Sequence, residues 1–291
     1  MLILERPNTV WTGKKLRQQY GMRPIAAYTG AAGAIEVVNG IPLTVSSGAG
    51  RTVTHYGSAL GHTATSSNAS CTPKNLTAVT DNPLTLLWRG VFVGNISGSS
   101  PGIGGLQAAS QDSYHIGVGR NSDTQMVVYS RATSTSMARA LAFDPSVHYG
   151  KAMSMLLRTT IVSLNNDLLD LFVLVDGQVT KYSSTALSSL RLTSRVLTGN
   201  EIFSSGADTA ENATRNPNIQ TSFLGVFSGA PNDGVAAQIL FDPSSFFAPQ
   251  QIYIPTAAAA ASGLPTLSIP TFVPGSITAT GARGRVTATA P

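Results

Sequence analysis

The stretch LLDLFVLVDGQVTKYSS, Leu168 to Ser184, constrains the fold more than any other part of this chain. Two runs rich in Leu, Val, Phe and Tyr meet at Asp176-Gly177. Both turn residues tolerate the left-handed conformations that a tight hairpin demands. The spacing therefore predicts two antiparallel strands turning at that dipeptide. Alternate side chains of a strand share a face, so Leu171, Val173 and Val175 are expected to point into a core together.

The same punctuation runs from about residue 31 to 250. AIEVV ends at Asn39-Gly40, another turn-forming pair; PLTVSS, RTVTHYG and LTLLWRGVFVG follow as strand candidates. YHIGVG and QMVVYS flank RNSDT and read as a hairpin, and AMSMLLRTTIVSL precedes the turn-like NND of Asn165 to Asp167. PNDGVAAQILFDP is the one short helix expected after the strands begin. Asn232 or Asp233 caps its start, and Pro243 ends it by withholding an amide hydrogen. Many strands and no alternation of strand and helix predict an all-β, two-sheet antiparallel sandwich. The expected division is a basic N-terminal arm over 1–30, the sandwich over 31–250 and an extended segment over 251–291.

Composition narrows the function classes. Charged residues make up only 11% of the chain, so Ser, Thr, Asn, Gln and Gly must wet its surface. The net charge of +5 is spread along the sequence, which argues against a nucleic-acid partner. No stretch reaches the roughly 18 apolar residues of a membrane span, and MLILERPNTVW lacks the pattern of a signal peptide. A protein made in a cytoplasm and free of membrane is expected. Cys71 is the single cysteine and has no partner for an internal disulfide.

Catalytic constellations are sparse. Glycoside hydrolysis ordinarily needs two carboxyl groups about 5 to 9.5 Å apart. The four glutamates, Glu5, Glu36, Glu201 and Glu211, form no alternating pattern. The close acid pairs, Asp167 with Asp170 and Asp208 with Glu211, fall in turn-like segments. His55, His62, His115 and His148 show no metal-ligand spacing, and His55 and His115 sit in strand-like runs. GIGG, Gly102 to Gly105, reads as a loop, and Trp88 as a core residue. Calcium would find oxygen ligands in NNDLLD or GADTAENATRN. Polar turns of this kind are ordinarily just turns, so no cofactor is expected.

Three segments carry a family resemblance. LFVLVDGQV, Leu171 to Val179, resembles the hairpin of concanavalin A-like, laminin-G-like jelly rolls. SFLGVFSGAPNDGVAAQILFDPSSFFAPQQIYIP, Ser222 to Pro255, resembles the closing segment of the tailed-bacteriophage version of that domain. FVPGSITATGARGRVTATAP resembles the tail that follows it there, with Gly284 where proline is common. The resemblance implies a concanavalin A-like jelly roll in a virion, assembled in the host cytoplasm. It implies a non-enzymatic structural subunit at the tail or fibre. A head (capsid) decoration protein or a free carbohydrate-binding module are the alternatives. The implied partners are other virion subunits, further copies of the chain and a host surface glycan.

The two arms supply the expected assembly contacts. Lys14, Lys15 and Arg17 lie in a segment with Glu5 as the one nearby acid, and form either a solvated arm or an anchor on an acidic neighbour. SITATGARGRVTATA has the β-branched alternation of paired strands, with TGARG as a turn. Arg283 and Arg285, two apart, would share a side if extended and could grip a carboxylate. Docking on a neighbouring subunit is the expectation for such a tail, with folding back on the sandwich or remaining disordered as the alternatives.

Overall fold

The computed structural model describes residues 21–241 except 66, 74–82, 99–100, 109–113, 132–135, 164–165, 185–196, 198 and 207–214. It also describes 243 and two short strands near the C-terminus. In chain order the strands are β1 (Arg23–Thr29), β2 (Ile35–Glu36), β3 (Ile41–Pro42), β4 (Thr44–Val45), β5 (Ala49–Thr54) and β6 (Gly57–His62). There follow β7 (Asn68–Cys71), β8 (Leu84–Phe92), β9 (Gly102–Gln107), β10 (Tyr114–Ser122), β11 (Gln125–Arg131) and β12 (Ser136–Leu141). The last of the sandwich are β13 (Ala152–Ser163), β14 (Asn166–Val175), β15 (Gln178–Ser183), β16 (Ile202–Gly206) and β17 (Ile219–Ser228), before helix α1 (Asp233–Phe241).

These strands form the two antiparallel sheets that the turn spacing predicts. One has ten strands, in the order β15-β14-β13-β8-β17-β1-β2-β3, with the β5–β6 hairpin joined through β6 to β17. The other has seven, in the order β12-β11-β10-β9-β16-β7-β4. β14 and β15 pair from Asp170↔Ser183 to Val175↔Gln178, so the hairpin turns at Asp176 (φ 51°) and Gly177 (φ 77°). β10 and β11 form the second expected hairpin. The ten-stranded sheet takes in Arg23–Thr29, residues assigned from sequence to the arm; RPIAAYT buries six of its seven side chains, as a central strand must.

The main core lies between the sheets. Leu171 and Val173 are buried there and Val175 packs against them, one face of β14 as period-two alternation requires. Trp88 is fully buried in the same core, donates from Nε1 to Thr221 Oγ1 at 3.0 Å, and stacks on Phe92. Each such side chain contributes about 1.5–3 kcal/mol of apolar burial. His62 is also buried, with its ring nitrogens 3.2 Å from Ser67 Oγ and 3.0 Å from Ser205 Oγ. Burial pushes its imidazole down to about 4, so it sits in the core as a neutral group.

A second, smaller core lies on the outer face of the ten-stranded sheet. Leu87, Leu156, Phe172, Leu174, Phe223 and Phe227 point outward there, and Ala236, Ile239 and Leu240 of α1 cover them. Asn232 Oδ1 accepts from the Val235 amide at 2.9 Å, the cap expected for this helix.

Residues 250–291 form a separate unit. Within it β18 (Ile277–Thr280) pairs with β19 (Arg285–Ala288), in register from Ile277↔Ala288 to Thr280↔Arg285. The tail thus makes a hairpin of its own, with TGARG spanning the connection.

Candidate functional site

Two arginines on the outer face of the ten-stranded sheet hold the two ends of α1. Arg158 of β13 stands opposite Asp170 of β14 in the register and donates to Asp170 Oδ2 from Nε (3.2 Å) and from Nη2 (2.9 Å). It also reaches the Pro231 carbonyl and Asp233 in the first turn of the helix. Lys181 bridges the same two carboxylates, and Ser183 Oγ donates to Asp170 Oδ1 at 2.6 Å. Burial pushes the Asp170 carboxyl up. The hydrogen bonds from Ser183 and Arg158 and the charge of Lys181 outweigh it and hold the group below the usual range. Arg158 does the same for Asp233. Both carboxylates are ionised, and together they anchor the helix. At the other end Arg89 Nη2 donates to the Phe241 carbonyl at 3.2 Å.

An open pocket of about 440 Å³ lies near the C-terminal end of the helix, with Phe241 in its lining. Its walls are His55 and Tyr56 from the β5–β6 turn, Gly150 to Ala152 at the start of β13, Leu174 to Gly177 from the β14–β15 hairpin, and Phe241. Phe241 is 55% exposed, an unusual state for so large an apolar group. The Arg89 guanidinium stacks on the Tyr56 ring, 3.8 Å from its centroid, and fixes the ring's orientation. On the rim, Lys151 Nζ lies 2.6 Å from Asp176 Oδ2. Beside the pocket, Ser154 falls between Arg89 and Leu174 in the register; its Oγ is buried with no hydrogen-bond partner among the described residues.

The outer face of the seven-stranded sheet is built differently. Glycines at 102, 105, 117 and 119 leave a flat floor on which aromatic rings lie. A Cβ on Gly117 would fall 2.5 Å from Tyr114 Cδ1, and one on Gly119 would fall 3.0 Å from Tyr129 Cε2. Tyr114 and Tyr129 stack at 5.1 Å over this floor. GIGG is therefore not a loop: Gly102–Gln107 is strand β9, in which Gly102 and Gly105 answer to the close approach of Tyr114 and Gly104 to that of Leu224 and the Ser204 carbonyl. At one end of the sheet His115 and Glu201 face each other at 3.6 Å, both buried.

The expected site residues are scattered by comparison. Lys14, Lys15, Arg17, Arg283, Asp208 and Glu211 lie outside the described residues, and Arg285 is placed as the first residue of β19. Asp167 and Asp170 belong to strand β14, not to a turn. His55 is in the β5–β6 turn rather than in a strand. Among the described residues no group of three or more His, Cys, Asp or Glu could hold a metal, and no helix is long and apolar enough to cross a membrane. The pocket escapes sequence reasoning because four distant segments build it. The half-buried Tyr56 and the exposed Phe241 carry no local motif.

No family model and no curated protein matches the chain. Its fold is shared with solved structures. It matches a Trypanosoma rangeli sialidase in complex with 2,3-difluorosialic acid with a TM-score of 0.51 and 10% identity, over 77% of this chain and 33% of that one. The chain thus spans a third of the length of that sialidase. An alginate lyase from Aplysia kurodai matches with a TM-score of 0.39 and 13% identity, over 62% of this chain and 86% of that one. An endo-β-1,4-glucuronan lyase from Trichoderma reesei matches at 0.41 and 10%, over 65% and 90%. Such low identity shows the fold alone. These comparisons overturn the expectation of a non-enzymatic structural subunit of a tailed-phage virion. The sialidase whose fold the chain shares is named for a carbohydrate, so the two-sheet sandwich remains and the virion role is withdrawn.

Proposed function

We propose that this domain recognises carbohydrate, at the pocket between the His55-Tyr56 turn and the Asp176-Gly177 turn. One observation carries the reading: an open hollow of about 440 Å³ with Tyr56 and the half-exposed Phe241 among its walls and a charged pair on its rim. A sugar ring has apolar C–H faces and a polar edge of hydroxyls. Aromatic rings take the faces, while a fixed ammonium and carboxylate take the edge. The volume lies within the range of ordinary small-ligand sites, roughly 300–1,000 Å³. The fold supports the reading, since sandwiches of this build occur in proteins named for the sugars they act on.

The test is a glycan binding screen on the full chain, followed by calorimetry on any ligand found. Tyr56→Ala and Phe241→Ala should each weaken binding by about tenfold or more, since a ring lost from a desolvated contact costs roughly 1–2 kcal/mol. A ligand that binds both variants as well as it binds the wild type overturns this placement. Release of reducing ends in the same mixtures reports whether the bound glycan is also cleaved.

A further inference from the structure

We infer, on the carbohydrate reading of the pocket, that its ligand is a neutral sugar held through two hydroxyls on adjacent ring carbons, one accepting from Lys151 and the other donating to Asp176.

Charge balance excludes the ionic sugars. Among the described residues that line the pocket, Lys151 brings the ammonium and Asp176 the carboxylate, and the two meet at 2.6 Å. Each cancels the other's charge, so the rim offers no net field to an ionic ligand. A uronate or a sulfated sugar would set a second anion beside Asp176. An amino sugar would set a second cation beside Lys151. Either would leave its hydration shell, a costly step for an ion, with no net opposite charge to meet it. A neutral sugar gives up far less hydration.

The pair still has hydrogen-bonding capacity to offer. An ammonium has three N–H donors and a carboxylate has two acceptor oxygens. Their mutual contact uses one donor and Oδ2, and leaves two N–H groups and Oδ1 without a protein partner among the described residues. Both side chains reach solvent, at 43% exposure for Lys151 and 60% for Asp176, so a ligand can approach them.

The rim therefore presents a donor and an acceptor side by side. Two gauche hydroxyls on neighbouring ring carbons have the matching pattern, and their oxygens lie about as far apart as the ammonium and the carboxylate do. One hydroxyl oxygen accepts from Lys151; the other hydroxyl donates its O–H to Asp176. Both bonds are charge-assisted, the stronger class. Ala152, Val175 and Phe241 line the hollow beside the rim and meet the C–H face of the same ring. A lone hydroxyl would use half of this arrangement.

The experiment is calorimetric titration of the full chain with neutral oligomers of glucose, galactose and mannose, each beside the oligomer of its own uronic acid. At least one neutral oligomer should bind, and tighter than its uronate counterpart. Monodeoxy derivatives of that sugar then locate the contact on the wild-type protein. Deleting either of two adjacent hydroxyls should weaken binding about tenfold, the loss of one bond to a charged group. Lys151→Met should erase the penalty at one of the two positions. Asp176→Gly, which keeps a residue tolerant of positive φ in the turn, should erase the penalty at the other. A uronate oligomer that binds as tightly as its neutral counterpart or more so, or hydroxyl penalties that survive both substitutions, overturns the neutral-diol inference while the carbohydrate reading stands. Penalties confined to hydroxyls that are not adjacent do the same. Absence of binding to every glycan tested removes both.

Discussion

The two outer faces of this sandwich solve the same problem in opposite ways. The seven-stranded sheet is thinned by glycine until Tyr114 and Tyr129 lie flat on its backbone, and the result is sealed: Tyr114 is only 5% exposed. The ten-stranded sheet keeps large outward side chains and needs a helix to cover them. The nine-residue helix is shorter than the strands beneath it, and an open pocket lies near its end. Among the described residues, the sheet that packs its own tyrosines keeps Tyr114 buried. The one that borrows a cover has a hollow near the cover's end, and the hollow inherits whatever charges hold the cover down.

The sharpest way to break the comparison is to unfasten the helix. Arg158→Met leaves Asp170 buried with Lys181 as its remaining cation among the described residues, and removes the contacts to Pro231 and Asp233. Breaking a buried pair from one side costs about 3–5 kcal/mol. Urea unfolding should show a loss of that order, the largest expected here, and a loss below about 1 kcal/mol would mean that packing alone holds α1. The clamp also has a pH signature. Both carboxyls titrate below their unfolded value, so their stabilisation is present above the ordinary carboxylate range and disappears as pH falls through the folded values. Arg158→Met should flatten the acid limb of the stability profile; an unchanged limb would remove the clamp from the account.

The sealed face is tested by adding one methyl group. Gly117→Ala drives a Cβ to 2.5 Å from Tyr114 Cδ1 and 2.6 Å from its Cγ, so the ring must lift from its floor and lose its contact with Tyr129. Overpacking of this kind costs about 1–3 kcal/mol. The measurement is the unfolding midpoint together with the near-ultraviolet signal of the tyrosines. A variant unchanged in both would show that Tyr114 does not need the glycine floor.

How much of this is legible in sequence depends on how local the cause is. The hairpin at Asp176-Gly177 and the Asn232 cap are read correctly because a turn or a cap is decided by residues within three or four positions. GIGG is misread because glycine is a loop signal on its own; the reason for Gly102 and Gly105 in β9 is a tyrosine nine residues past the segment's end, in the neighbouring strand. Asp170 is misread for a related cause. An acid beside NND resembles a turn residue until Arg158 is seen opposite it in the register. The pocket is the extreme case, since Tyr56, Lys151, Asp176 and Phe241 are separated by up to 185 positions and meet only through sheet order. The virion role came from segment likeness rather than from any site. It fell when the fold proved to be shared with carbohydrate-active proteins.

The smallest expected effect separates the open half of the ten-stranded face from the closed half. If the Lys151–Asp176 pair serves ligand binding and not the fold, its removal must leave stability nearly untouched. The pair is largely exposed and sits at a turn tip, so its contribution is about 0–1 kcal/mol and falls further with salt. Asp176→Asn preserves the positive φ of 51°, because Asn, like Asp, is among the few non-glycine residues that accept the left-handed region. The unfolding free energies of Lys151→Met and Asp176→Asn should therefore both lie within about 1 kcal/mol of the parent. Arg158→Met, at the closed end of the same face, should not. Were the two ends to cost the same, the rim pair would be a second fastening of the sheet, and the division of this face into a structural half and a binding half would fail.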